Sequence, residues 1–161
     1  MGRENRGFTL AESLVVVLLL SMVSGAMAAG TAYALHHYRA AMASSQANIL
    51  CSTLRAAVNT ELSNGRAFRL EDGTLVSFVS QNYGQAAQAE GFSCTDGKLR
   101  LNGMLLAGEG AYVRGLTAKL YPITFDGTAF RVRLEILGQD GAVLASSSFE
   151  VRPLNPSELK E

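Results

Sequence analysis

RGFTLAESLVVVLLLSMVSGAMAAGTAYAL, residues 6–35, decides the fold of this chain. Between Phe8 and Tyr38 there is one formal charge, Glu12, and from Leu14 to Leu35 there is none. That uncharged run of 22 residues makes a helix of about 33 Å, and about 20 residues cross a hydrocarbon core. Ahead of it stand Arg3 and Arg6 against Glu4. This bias puts the N-terminus on the cytoplasmic side and everything after the run outside. No second apolar stretch of that length follows, so a single span with an extracytoplasmic body is predicted.

The rest of the composition excludes several classes. The chain has 161 residues, 48% of them hydrophobic and 17% charged, which is not the profile of a disordered chain. Lys+Arg and Asp+Glu are both 14, so nucleic-acid binding through bulk charge is not expected. The only histidines are His36 and His37 and the only cysteines Cys51 and Cys94. A zinc finger, an iron–sulfur centre and a histidine-dependent triad are therefore disfavoured.

Three readings compete for the N-terminus. Ala26-Met27-Ala28 supplies an A-x-A site, so an ordinary secretory signal cut near Ala28 would release a soluble domain. A plain membrane anchor is the second. Neither accounts for Glu12, because a carboxylate inside a membrane helix costs on the order of 2.5–3.5 kcal/mol or more unless it finds a partner.

The third reading rests on Arg6-Gly7-Phe8-Thr9-Leu10-Ala11-Glu12, followed at once by the apolar run. This resembles the prepilin signal of type IV pilins and pseudopilins. The resemblance implies a leader of residues 1–7, cleavage by a prepilin peptidase between Gly7 and Phe8, and N-methylation of Phe8. Glu12 is then the assembly glutamate, pairing with the N-terminal ammonium of Phe8 on a neighbouring subunit. Two groups costly to leave alone in lipid would fix each other's axial register. The sequence departs from many members in lacking an early proline. Gly25 and Gly30 stand there among small residues, which permit close helix approach; either the helix is softest between Ser24 and Gly30 once packed in a filament, or the stretch is simply a small-residue membrane face.

The helix is predicted to continue past the membrane. Thr31 to Leu62 holds neither proline nor glycine and is rich in alanine. Leu50, Leu54, Val58 and Leu62 recur every four residues with Ile49 and Cys51 beside them, giving one apolar face. Asn64-Gly65 is a stop signal. A helix from about Thr9 to Ser63 would be about 80 Å long. Tyr33, His36, His37, Tyr38 and Arg39 gather where the span leaves the bilayer, as an interfacial belt. Adjacent helical histidines point about 100° apart, and no Cys, Asp or Glu lies three or four residues away, so no metal site is expected.

The remainder reads as an antiparallel sheet. All four aspartates precede glycine, at 72, 96, 126 and 140, and Asn102-Gly103 adds a fifth such pair. These are strong hairpin signals, and they leave no paired-aspartate or calcium-loop chemistry. Two-residue loops at Asp126-Gly127 and Asp140-Gly141 would pair Ile123 with Phe130, Phe130 with Val151, Arg131 with Glu150 and Val132 with Phe149. Apolar then meets apolar and Arg meets Glu. This predicts a meander of roughly 116–125, 128–138 and 142–152, with a bulge or edge near Pro122. Leu75–Val79 reads as a strand and Lys98–Leu106 as a small hairpin. Gln81–Glu90 is a polar connector or partner-facing loop, and the tail after Val151 is loose. Cys51 and Cys94 admit two readings: a disulfide stapling head to helix, or two separate small residues.

The expected fold is α+β and pilin-like. Its parts are a leader (1–7), a membrane or filament-core half-helix (8–35), an amphipathic half-helix (36–65) and an antiparallel β head with its tail (66–161). The resemblance implies a non-enzymatic structural subunit of a type IV pilus-like filament, without catalytic residues or cofactor, and the low charge and absence of an obvious binding motif point to a minor or accessory one. Its partners would be prepilin peptidase, other pilin or pseudopilin subunits and a cytoplasmic-membrane assembly platform. It would be a single-pass membrane protein before assembly and part of a surface filament after. A pseudopilin of a type II secretion or DNA-uptake system is the alternative within the class.

Overall fold

The structure, a computed structural model, describes residues 10–82, 91–154 and 159–160. It divides into two compact units, Met1–Ala41 and Met42–Glu161. One helix, α1 (Leu10–Asn64), begins in the first and ends in the second. Within the described part of the first unit every residue is exposed. Gly25 and Gly30 lie inside an unbroken α-helical stretch with open space around them.

In the second unit α1 buries Ala47, Leu50, Cys51, Leu54, Val58, Glu61 and Leu62, spaced so that they share one face of the helix. The predicted stripe is present with two corrections. Ile49 points away and is 63% exposed, because it lies a full 100° from Leu50 on the helix. Glu61 takes a core position that the apolar count passed over. The helix stops where Asn64-Gly65 predicted. A Cβ on Gly65 would sit 2.8 Å from the Phe68 ring and 2.9 Å from both the Glu61 carbonyl and the Phe78 ring. Close packing requires the glycine there.

The strands are β1 (Arg66–Glu71), β2 (Thr74–Val79), β3 (Phe92–Thr95), β4 (Lys98–Leu101), β5 (Met104–Leu105), β6 (Thr117–Leu120), β7 (Thr124–Phe125), β8 (Phe130–Leu137), β9 (Val143–Val151) and β10 (Leu159–Lys160). Seven of them form one sheet in which β10, β1, β2, β7 and β8 lie side by side. β6 follows β7 along the same edge of β8, and β9 takes the other edge. Strands β3, β4 and β5 form a second sheet. All pairings are antiparallel except β1 with β10. The outcome is the α+β arrangement expected, a long helix packed on antiparallel sheets.

The β8–β9 register is the predicted one: Phe130 faces Val151, Arg131 faces Glu150 and Val132 faces Phe149. The bulge near Pro122 is present too. Leu120 faces Leu134 but Thr124 faces Arg131, so β6–β7 advances four residues while β8 goes back three. The predicted Ile123–Phe130 pair is wrong. Phe125 faces Phe130, so the loop is four residues, Asp126 to Ala129. The cause is the aspartate itself. Its Oδ1 accepts from the Thr128 and Ala129 N–H groups at 3.0 and 2.9 Å and from the Thr128 hydroxyl at 2.9 Å. A side chain that caps the turn this way replaces the tight backbone turn.

The Asp-Gly and Asn-Gly pairs thus split by mechanism. At 72–73, 96–97 and 102–103 both residues have positive φ, as a two-residue hairpin loop of the mirror-image type demands. At 126–127 and 140–141 only the glycine does, and Asp140 Oδ1 accepts from Ala142 N as Asp126 does from its own loop. The expected strand at 75–79 and hairpin at 98–106 are found as β2 and β4–β5. Strand β1 was not foreseen. The expected loose tail has Pro153 buried, Leu154 N bonded to Ser63 O at 3.0 Å, and β10 paired with β1. Of the polar connector, residues 83–90 lie outside the described residues.

The core centres on Phe130. It is fully buried, with ring centroids 4.9 Å from Phe68 and 4.8 Å from Phe125. Phe68 in turn stacks on Phe78 at 5.7 Å. Phe130→Ala is expected to destabilise the head by about 3–5 kcal/mol, the cost of a cavity in a tightly packed site. Chemical denaturation of the detergent-solubilised chain measures this, and a loss below about 1 kcal/mol would contradict the assigned core.

Candidate functional site

The sequence points to residues 7–12 and the run after them. Gly7 and Phe8, the expected cleavage and methylation positions, lie outside the described residues. Glu12 lies in the first turn of α1 and is exposed. The helix dipole favours a carboxylate in that turn.

Past Glu12 the chain solves the problem that lipid poses for polar groups. The backbone of an α-helix satisfies itself. The two hydroxyl side chains with a resolved bond in the run do likewise: Ser21 Oγ donates to Leu18 O at 2.7 Å and Thr31 Oγ1 donates to Met27 O at 2.9 Å. Such back-bonding hides a hydroxyl from hydrocarbon. The helix is long and apolar enough to cross a membrane. Its small residues, Gly25, Ala26, Ala28, Ala29 and Gly30, leave room for another helix. The Tyr33 and His37 rings are 4.2 Å apart and His36 meets His37 edge-on at 5.8 Å.

In the second unit polar groups are drawn into structural pairings. Glu61 is buried and accepts from Ser80 Oγ at 2.5 Å and from Asn82 Nδ2 at 2.7 Å, tying α1 to the end of β2. On the outer sheet face Glu135 takes the Arg133 guanidinium at 2.7 Å and the Tyr121 hydroxyl at 2.9 Å. Arg133 and Lys119 both lie over the Tyr121 ring at 4.8 Å. The Arg133 hydrogen bond, with the Tyr121 bond next, holds the Glu135 carboxyl below its ordinary range. Sequence reasoning named no partner for Glu135. It missed Glu61, for which a lone acid in an apolar stripe was the available signal.

Cys51 and Cys94 are two free thiols, the first buried and the second exposed. Burial pushes the Cys51 thiol up, against a smaller opposite pull from Arg55. Cys94 Sγ lies 3.6 Å from Ala118 O. Among the described residues no group of three or more His, Cys, Asp or Glu is placed to hold a metal ion.

The Asp126 turn carries a pH signature. Its bonds from the Ala129 and Thr128 N–H groups and the Thr128 hydroxyl, with Arg131 3.0 Å away, hold its carboxyl at about 2, against an ordinary 3.8. A depressed carboxyl stabilises the fold above its unfolded value, and that contribution vanishes as pH falls through the folded one. Asp126→Asn should therefore melt below wild type at pH 6, and the gap should close between about pH 4 and pH 2. A gap unchanged across that window would contradict the assignment.

The architecture defines a class: a long, apolar-led N-terminal helix whose distal part carries a small β head. The prokaryotic N-terminal methylation motif matches residues 2–28. The chain therefore carries the type IV pilin and pseudopilin signal at its N-terminal end. That motif implies processing by a prepilin peptidase and assembly with other pilin subunits. No curated protein and no solved structure matches the chain.

Proposed function

We propose that this chain is a structural, non-enzymatic minor or accessory subunit of a type IV pilus-like filament. A prepilin peptidase cuts between Gly7 and Phe8, and Phe8 becomes the N-methylated end. The subunit waits in the membrane on its single span, with the head outside, and enters the filament through α1. Glu12 pairs with the Phe8 ammonium of a neighbouring subunit. One observation carries this reading: the methylation motif at residues 2–28 runs directly into an unbroken helix, Leu10–Asn64. A secretory signal cut near Ala28 would sever that helix and remove most of its uncharged run.

Intact mass and N-terminal sequencing of the protein from native membranes and sheared surface filaments test the proposal. N-methyl-Phe8 as the first residue is expected, with the protein sparse in the sheared fraction. A chain beginning near Ala29 would overturn the proposal.

A further inference from the structure

We propose that residues 33–39 bind the headgroups of net-anionic phospholipids in the leaflet on the head side of the membrane. The inference rests on reading Leu14–Leu35 as a membrane span. Along the helix the uncharged run is as long as a hydrocarbon core is thick, so with Glu12 near one boundary Tyr33 to Arg39 lie at the other.

The chemistry there is one-sided. From Ser13 to Thr60 the sequence contains no aspartate or glutamate, although the whole chain carries as many acids as bases. The formal charges in that stretch are Arg39 and Arg55 only. Within that stretch a phosphate at residues 33–39 therefore meets donors and a cation and no carboxylate. Arg39 offers a planar fork of N–H donors matched to phosphate oxygens. His36, three residues earlier, shares its face of the helix, and Tyr33 shares a face with both His36 and His37.

The rings are organised and accessible. The Tyr33 and His37 rings meet at a tilt with centroids 4.2 Å apart, His36 abuts His37 edge-on at 5.8 Å, and Tyr33 and Tyr38 are 69% and 62% exposed. Aromatic rings with a polar tip favour the interface, with the hydroxyl and ring N–H groups directed at headgroups. Selectivity follows from the missing carboxylates. A zwitterionic headgroup brings an ammonium that Arg39 repels and that no acid nearby attracts. A phosphatidylglycerol headgroup brings the phosphate alone.

The test uses the full-length chain in phosphatidylcholine bilayers containing trace spin-labelled lipid, read by electron paramagnetic resonance. The motionally restricted fraction reports lipid in contact with the protein. Spin-labelled phosphatidylglycerol is expected to associate about fivefold more strongly than spin-labelled phosphatidylcholine, the factor that one arginine at a headgroup surface supplies. In the triple variant H36Q/H37Q/R39Q the preference should vanish while the restricted shell persists, and R39E should favour phosphatidylcholine. Equal association of the two lipids with wild type would overturn the inference and leave the span intact. Absence of a restricted shell for either lipid would mean that the span reading itself had failed.

Discussion

Gly7→Leu is expected to abolish leader removal. All of the protein in membranes should then retain residues 1–7, and none should begin with N-methyl-Phe8. The physical reason lies at the backbone. A peptidase must bring its catalytic groups against the peptide bond it cuts, and the residue on the N-terminal side of that bond is held in the site. Glycine lets the backbone approach closely and adopt conformations that a branched side chain excludes. Leucine at that position fills the space through which the backbone must approach. The consequence extends past processing, because an uncut chain has no ammonium on Phe8 and keeps Arg3 and Arg6 on the cytoplasmic side. It should therefore accumulate in the membrane and be missing from sheared filaments. Intact mass of membrane-purified protein decides the matter, and a Gly7→Leu chain that begins at Phe8 would show the cut site to be misassigned. Gly7→Ala adds one methyl group and should be processed slowly, which separates a steric effect at the cut from a failure to insert.

The elements legible in the sequence were those fixed by local chemistry. The span was visible because hydrocarbon tolerates few charges, and Leu14 to Leu35 has none. The buried stripe was visible because helical periodicity survives in the residue types of Leu50, Leu54, Val58 and Leu62. The β8–β9 register was visible because one offset satisfied Phe130–Val151 and Arg131–Glu150 together. What stayed hidden depends on contacts distant in sequence. Strand β1, with Ala67 at a positive φ and two register shifts against β2, has no clean alternation to read. Its second partner, β10, lies some ninety residues further along the chain. The Asp126 turn failed for a different reason. Asp-Gly suits a two-residue loop, but the neighbouring Thr128 supplies an N–H and a hydroxyl that the aspartate accepts, and this local competitor wins.

The polar groups of the head divide along the same line. Arg131 with Glu150 was readable from the ladder, and the pair is present at 3.4 Å. Glu61 with Ser80 and Asn82 was not, since nothing about a single glutamate in an apolar stripe names its partner. Buried polar groups must be satisfied somewhere, and where they are satisfied is a property of the fold. Glu12 poses the same question outside the head. In the proposed filament Glu12 has a role that can be measured.

Glu12→Ala is expected to leave the cut between Gly7 and Phe8 intact and to lower incorporation into filaments by about two orders of magnitude at equal expression. A carboxylate held within the bilayer costs on the order of 2.5–3.5 kcal/mol, and pairing with the ammonium of Phe8 on a neighbour offsets that cost on assembly. Converted at about 1.4 kcal/mol per factor of ten, the lost recovery corresponds to roughly 10² in the partition between membrane store and filament. The alanine chain has no reason to leave the bilayer and nothing to set its axial position against the next subunit. Processing should survive, because the change lies five residues beyond the cut. Glu12→Gln separates charge from shape. It keeps a hydrogen-bonding group of the same size, so incorporation should fall less than with alanine yet stay well below wild type. Quantitative immunodetection of sheared filaments against membranes reads all three chains side by side. Alanine and wild type in equal share would sink the pairing account, and glutamine equal to wild type would show that a neutral hydrogen bond suffices without the ion pair.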